Sequence, residues 1–159
     1  MNDILQKFRA KENFQVSNVD ISEAEITELE RRLGVLFTPQ YRDFLKRYGY
    51  MACFGPCIFG ICKTDFSDYF SVEKWTNKAR TERLPKEFAA RPKNGVVVCD
   101  YGGGGYYFLI CSGNESGKVI LVLDELKGRR ATEFWDSFNE FVASLSLNMD
   151  SLPERAASG

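Results

Sequence analysis

The stretch "GVVVCDYGGGGYYFLICSGNESGKVILVLDE", residues 95–125, decides the fold of this chain. It holds three runs rich in β-branched, aromatic and aliphatic residues, at 95–100, 106–111 and 118–125, and such runs are typical of strands. The glycine run and the segment SGNESG that separate them are short. Parallel pairing needs a crossover of about a dozen residues or more, so the three strands are predicted to form an antiparallel meander.

An amphipathic helix is predicted upstream by "DISEAEITELERRLG", which ends at Gly34. Ser22 and Glu25 have the S-x-x-E spacing of a capping box, in which each side chain accepts a free backbone N–H at the start of a helix. Ile21 and Ile26 are spaced for a hydrophobic staple, and Gly34 is a natural end for the helix.

A second helix follows in "FTPQYRDFLKRYG", which ends at Gly49. Thr38 is predicted to cap it, and Pro39 suits the first helical position because its φ angle is already helical. The predicted apolar stripe consists of Tyr41, Phe44, Leu45 and Tyr48. The short link between the two helices predicts a compact helical hairpin.

Four further elements complete the prediction. They are a short helix over 3–10, a short buried strand over 57–62, a helix from Ser71, and a last helix capped by Thr132. The apolar face of that last helix comprises Phe134, Trp135, Phe138, Phe141, Val142 and Leu145. The predicted fold is therefore α+β, an antiparallel meander of about four to six strands with N-terminal helices and a C-terminal helix packed against it. We expect one domain over 1–147 and a polar tail over 148–159.

The composition of the chain excludes several classes of protein. The net charge is −1, so no global basic field gathers nucleic acid. Charges interrupt the N-terminal residues, and no run of about 18 apolar residues occurs, so we expect neither a signal peptide nor a membrane helix. The expected compartment is the cytoplasm, where the five cysteines would be free thiols.

The chain contains no histidine. This excludes Ser–His and Cys–His nucleophile pairs, general acid–base catalysis by histidine, and every metal site that needs a histidine ligand. An enzyme would have to work with carboxylates, lysine, tyrosine or cysteine, and we expect no cofactor or metal.

The glycine run Gly102–Gly105 does not fit a phosphate-binding loop. A dinucleotide fingerprint beginning at Gly102 would need a third glycine at Tyr107, and the residues that follow favour a strand rather than a helix. A hairpin turn is the favoured interpretation, because glycine supplies the positive φ angles of tight turns. The excess of glycine leaves open the close approach of a ligand or of another backbone.

The cysteines do not form a zinc motif. Cys53, Cys57 and Cys62 have no second closely spaced pair beside them. A four-residue hairpin loop would place Cys99 opposite Phe108 and Cys111 opposite Val96, with the two thiols on opposite faces of the sheet, so no disulfide is expected between them. Buried thiols are the favoured interpretation, and a redox or metal role remains the alternative.

Three carboxylates follow strand ends. The strands at 96–100 and 118–123 both flank 106–111, so they should run in the same direction. Asp100, Asp124 and Glu125 would then emerge on one edge of the sheet. They are either solvated strand ends or an acidic rim that contacts a basic partner.

The ordered motifs resemble the SUKH superfamily, whose domains are of the Smi/Knr type. In the family, a helix ending in E-x-x-L-G is followed by an L-P-x-x-Y-x-x-F-L helix and a glycine, and the matching residues here are Glu30, Leu33, Gly34, Pro39, Tyr41, Phe44, Leu45 and Gly49. The helix entry differs by one residue, because Phe37-Thr38-Pro39 replaces a plain Leu-Pro. A strand–D-x-G-G-G–strand–strand–acidic pattern corresponds to Asp100, Gly102, Gly103, Gly104, Val119, Asp124 and Glu125. An S-F-x-E-F helix corresponds to Ser137, Phe138, Glu140 and Phe141.

This resemblance implies an interaction domain without catalysis. Bacterial members typically serve as immunity proteins that neutralise a toxin, often a nuclease, encoded by an adjacent gene. The partner expected here is such a toxin, with Asp100, Tyr101, Asp124 and Glu125 as contact residues and no direct binding of nucleic acid or membrane. The alternatives are a regulatory scaffold or peptide-binding module of the same fold, and a small-ligand binder at the glycine turn.

Overall fold

The structure is a computed structural model that describes residues 6, 8–9, 14–17, 19–52, 57–63, 68–82, 91–102, 104–123 and 133–147. These residues include four helices: α1 (Glu23–Leu33), α2 (Pro39–Tyr48), α3 (Val72–Thr81) and α4 (Phe138–Leu147). The strands are β1 (Gln15–Val16), β2 (Met51–Ala52), β3 (Cys57–Ile58), β4 (Gly95–Asp100), β5 (Gly105–Ile110), β6 (Val119–Leu123) and β7 (Phe134–Trp135). The predicted α+β class is confirmed. The predicted helix over 3–10 and the tail over 148–159 lie largely or wholly outside the described residues.

The larger sheet has the strand order β4-β5-β6-β7, and every neighbouring pair in it is antiparallel. The predicted meander is therefore confirmed. The predicted register is wrong, because Cys99 lies opposite Tyr107 rather than Phe108. Val97 pairs with Phe108, and an extra residue at Val98 makes a β-bulge that shifts the register after it.

A smaller antiparallel sheet has the order β1-β2-β3. The strand predicted over 57–62 is only two residues long, and the chain then leaves the ladder. The amide of Phe59 donates to the carbonyl of Val98 at 2.8 Å, which joins this segment to the bulge in β4. The sequence patterns did not identify β1 and β2.

Helices α1 and α2 begin and end where the sequence places them, with one difference. The capping box is present, since Ser22 Oγ accepts the Glu25 amide and the Glu25 carboxylate accepts the Ser22 amide at 2.9 Å. Gly34 ends α1 in the left-handed conformation, with a φ angle of 67°. Thr38 occupies the cap position of α2, but its hydroxyl makes no capping hydrogen bond and is buried without a partner in the described residues.

The last helix starts later than predicted. Phe134 and Trp135 are not helical, because Phe134 pairs with Ile120 and Trp135 with Val119 as a fourth strand of the sheet. Thr132 lies outside the described residues. Ser137 caps the helix, and its Oγ accepts the Glu140 amide at 3.2 Å.

The larger sheet lies between α3 and α4. Successive residues of a strand point to opposite faces. The ring of Tyr106 lies 6.0 Å from that of Trp75 in α3, and the ring of Tyr107 lies 5.0 Å from that of Phe141 in α4. A residue of β4 or β5 therefore reaches either the α3 face or the α4 face of the sheet.

Candidate partner-binding surface at the glycine turn

The turn between β4 and β5 is a hairpin connection, as predicted. Gly102 and Gly104 have φ angles of 81° and 86°, a conformation that other residues rarely adopt. One carboxylate oxygen of Asp100 accepts the Gly102 amide at 3.0 Å, and the Tyr101 amide donates to the Gly105 carbonyl at 3.2 Å. Asp100 therefore stabilises the turn while its side chain remains exposed.

Gly105 is required for a different reason. It pairs with Leu123 of β6, and a Cβ atom at this position would lie 2.8 Å from the Val122 carbonyl oxygen. The possibility of a close backbone approach is thus realised between two strands of the sheet. Gly103 lies outside the described residues. The three described glycines of the run each have a backbone reason for being glycine, and none of these reasons involves a ligand.

Tyr101 is the exposed aromatic residue of this edge, with 48% of its surface accessible. Its ring contacts Tyr107 edge-on, at 5.9 Å between centroids. Tyr107 in turn lies 5.6 Å from Trp135 and 5.0 Å from Phe141, and these two rings lie 5.1 Å apart. Burial raises the pKa of Tyr107 to about 12, with smaller contributions from the Cys99 thiol and the Glu133 carboxylate. We call the packed rings of Tyr107, Trp135 and Phe141 the aromatic base, and Tyr101 packs against it through Tyr107.

The structure separates two of the predicted contact residues. Asp100 pairs with Tyr106 and so lies on the α3 face of the sheet, whereas Tyr101 contacts Tyr107 and lies on the α4 face. Asp124 and Glu125 lie outside the described residues. Strands β4 and β6 run in the same direction and both reach the glycine-turn edge, as expected. The acidic rim itself stays a prediction.

The remaining motif residues are structural. The hydroxyl of Tyr41 donates to the Phe59 carbonyl at 2.7 Å, and burial raises its pKa. Phe44 and Phe138 pack against each other at 5.4 Å, which joins α2 to α4. Gly34, Pro39 and Gly49 define the helix boundaries described above.

Glu30 has a role that the sequence patterns did not reveal. It is buried, with 4% of its surface accessible, and its carboxylate accepts the Phe37 amide at 2.7 Å. The same carboxylate pairs with Arg42 of α2. The glutamate of the E-x-x-L-G motif therefore holds the α1–α2 connection together.

Gly60 and Arg80 were also missed. A Cβ atom on Gly60 would lie 1.7 Å from the Gly49 carbonyl oxygen, so two backbones touch at this point. Arg80 reaches from α3 to the carbonyl of Leu33 at the end of α1, at 2.7 Å, and to that of Gly95 at 3.2 Å. Neither role leaves a local sequence signal, because both depend on contacts between distant segments.

Cys57, Cys99 and Cys111 are free thiols. Burial raises the pKa of Cys57 to about 11 and that of Cys111 to about 12, and it raises the pKa of Cys99 further. Cys53 lies outside the described residues. Within the ranges that the structure describes, no group of three or more cysteine or carboxylate side chains is placed to hold a metal ion.

Two surface grooves lie on either side of α1. One, of about 430 Å³, is bordered by Glu25, Glu28, Arg32 and Glu73, whose charges pair with Lys63, Arg31 and one another. The other, of about 720 Å³, is bordered by the exposed Leu36 and by Lys93. Among the described helices, none combines the length and the apolar character that a membrane crossing requires.

The described residues thus form an α+β domain with two antiparallel sheets, and an exposed tyrosine stands on an aromatic base at one sheet edge. A model of the SMI1-KNR4 cell-wall family, SUKH_6, matches residues 23–142. The chain belongs to this family, which confirms the resemblance found in its sequence motifs. No curated protein matches the chain.

Proposed function

We propose that this protein is a non-catalytic immunity protein, which binds and neutralises a toxin through the glycine-turn edge of its larger sheet. Family membership over residues 23–142 is the observation that carries the proposal. The site supports it, because Tyr101 is exposed and its base is fixed by packing. Tyrosine is enriched among the residues that dominate binding energy at protein interfaces.

The direct test is toxin neutralisation. The gene next to this one would be expressed under tight control, alone and together with this protein, and growth would be followed. We expect the neighbouring product to arrest growth alone and to be neutralised on co-expression, with a complex that survives gel filtration. Growth arrest without rescue would contradict the proposal.

A regulatory scaffold is the second candidate. It is favoured by the description of the matching family, which names the cell wall. The same surface would then bind a cell-wall or signalling protein. Affinity capture from the native host distinguishes the two functions, because an immunity protein should retain the product of the neighbouring gene, whereas a scaffold should retain host proteins reproducibly without it.

A further inference from the structure

We propose that Tyr101, Tyr107 and Glu133 form a receptor for a cationic side chain, an arginine or a lysine that the toxin presents to this edge. We call these three residues the aromatic–acidic patch. The inference rests on the proposed function for the identity of the partner. The chemistry of the patch is argued from the chain itself.

The first argument compares the cation contacts of Tyr101 with those of other aromatic rings in the same chain. Lys78 lies 4.7 Å from the ring of Trp75, and Lys118 lies 5.4 Å from the ring of Phe134. The guanidinium of Arg91 lies 5.0 Å from the ring of Tyr106. Three rings on or against this sheet thus each have a cation from their own chain within contact distance. Among the described residues, no lysine or arginine lies over Tyr101, and 48% of its surface is accessible, so the ring can receive a cation from a partner.

The second argument is the position of Tyr101. It lies opposite Gly105, which has no side chain to cover the ring. The Tyr101 ring contacts Tyr107, its diagonal neighbour on the α4 face. The rings of Trp135 and Phe141 pack against Tyr107 and hold the Tyr107 ring in place. A ring that is fixed before binding loses little conformational entropy when it contacts a partner.

The third argument is the nearby charge. The carbonyl of Glu133 accepts the amide of Leu121, the residue opposite Tyr107, so Glu133, which directly precedes β7, continues the pairing of β7 with β6. It shares the α4 face with Trp135, because residues two apart along a strand point the same way. Its side chain is exposed, and none of the described lysines and arginines forms an ion pair with it. Glu133 lies three strands from Tyr101, and its carboxylate helps to raise the pKa of Tyr107, which lies between them. A carboxylate on the same face of the sheet favours a cation over an apolar side chain at this patch.

The test uses a short peptide of alternating glycine and arginine as the probe, and the matched glycine–glutamate peptide as the control ligand. Binding to the isotopically labelled full chain would be followed by NMR. We expect saturable shifts at the amides of Tyr101, Tyr107 and Glu133 with the arginine peptide and none with the glutamate peptide. The shifts should weaken as salt is added. Shifts centred elsewhere on the molecule would overturn the proposal.

Substitutions separate a cation receptor from a merely apolar contact. Tyr101→Phe keeps the ring and should bind within about twofold of the natural chain, whereas Tyr101→Leu keeps an apolar side chain and should bind about fivefold more weakly. Equal affinity of the Leu and Phe variants would refute the cation contact. Tyr69→Leu is the matched control, because Tyr69 is 60% exposed and also contacts one neighbouring ring edge-on, at 5.1 Å.

The charge is tested by Glu133→Gln, which should weaken binding about threefold at low salt. Glu115→Gln is the matched control: it changes the net charge equally, but it lies in the β5–β6 loop at the other end of the hairpin. Equal effects of the two variants would show that only overall charge matters and would overturn the patch.

Different results would refute the proposed function and the proposed role of the patch. If the toxin is neutralised while Tyr101→Leu binds it with unchanged affinity, the patch is wrong and the function stands. If the arginine peptide binds the patch but no toxin is neutralised, the patch stands and the function is wrong.

Discussion

Glu30 offers the sharpest test of how this fold is held together. Its buried carboxylate joins three segments: α1, which carries it, the connection at Phe37, whose amide it accepts at 2.7 Å, and Arg42 of α2. Replacing it by alanine removes both interactions at once. The helices would keep their own caps, so the loss should appear as reduced stability of the whole domain rather than as unfolding of one helix.

The magnitude follows from the two contacts. Without the carboxylate, the Phe37 amide is left buried and unsatisfied, which costs about 2 kcal/mol. Arg42 loses a buried partner, but its side chain is 23% exposed and still pairs with Glu23, so this part is about 1 kcal/mol. Glu30→Ala should therefore lower the free energy of unfolding by about 3 kcal/mol, and the melting temperature by about 6–12 °C for a chain of this size.

Urea denaturation followed by circular dichroism measures this free energy. Glu30→Gln should lie between the natural chain and Glu30→Ala, because its amide oxygen still accepts the Phe37 amide while the charge opposite Arg42 is lost. Glu28→Ala is the control in the same helix, since Glu28 is exposed and contacts Arg31 and Arg32 at the surface. A loss below about 1 kcal/mol for Glu30→Ala, or an equal loss for the control, would refute the reasoning.

Three further predictions concern other parts of the fold. Gly60→Ala should destabilise the chain more than Gly34→Ala, because its Cβ would overlap the Gly49 carbonyl oxygen whereas the space at Gly34 is open; thermal melts would contradict this if the order were reversed. Cys111 has its pKa raised to about 12 by burial, so the native thiol should react slowly with a disulfide reagent at pH 8 and rapidly in denaturant, and its raised pKa should lower stability as the pH rises above about 9. The pKa of Glu25 is lowered to about 2, mainly by its hydrogen bond with Lys63 and then by those with Ser22. The stability that its carboxylate contributes should be present above pH 4.5 and lost as the pH falls toward 2. Glu25→Gln should flatten this part of the stability profile, and an unchanged profile would contradict the assignment.

Local signals predicted the long elements of this fold well. The capping box of Ser22 and Glu25, the end of α1 at Gly34 and the three long strands each depend on residues within a few positions of one another. Strands β1 and β2 could not be found in the same way, because each has only two residues, too few for an alternating pattern, and β1 forms only by pairing with the distant β2. The contact between Gly49 and Gly60 is of the same non-local kind.

The start of the last helix was predicted too early, because Phe134 and Trp135 fit the helical spacing of apolar residues although they form a strand. Phe134 and Trp135 fit the apolar face of a helix that continues through Phe138, and that fit placed the start too early. Their pairing with Ile120 and Val119 completes the edge of the sheet instead. A local signal for the true start was present, since Ser137 and Glu140 have the S-x-x-E spacing seen at the first helix.

The orientation of the candidate site depends on one residue that no sequence pattern marks. Up to Val97, residues of β4 pair so that Val97 shares the α3 face with Phe108. Continued without a bulge, this register would place Tyr101 on the α3 face as well, because 97 and 101 differ by an even number. The bulge at Val98 shifts the pairing by one residue and moves Tyr101 to the α4 face, opposite Gly105 and beside Tyr107. Two hydrogen bonds from outside the sheet stabilise the bulge: the Thr76 hydroxyl accepts the Val97 amide at 2.9 Å, and the Phe59 amide donates to the Val98 carbonyl. Buried contacts of α3 and of the segment after β3 thus determine which face of the sheet presents the exposed tyrosine.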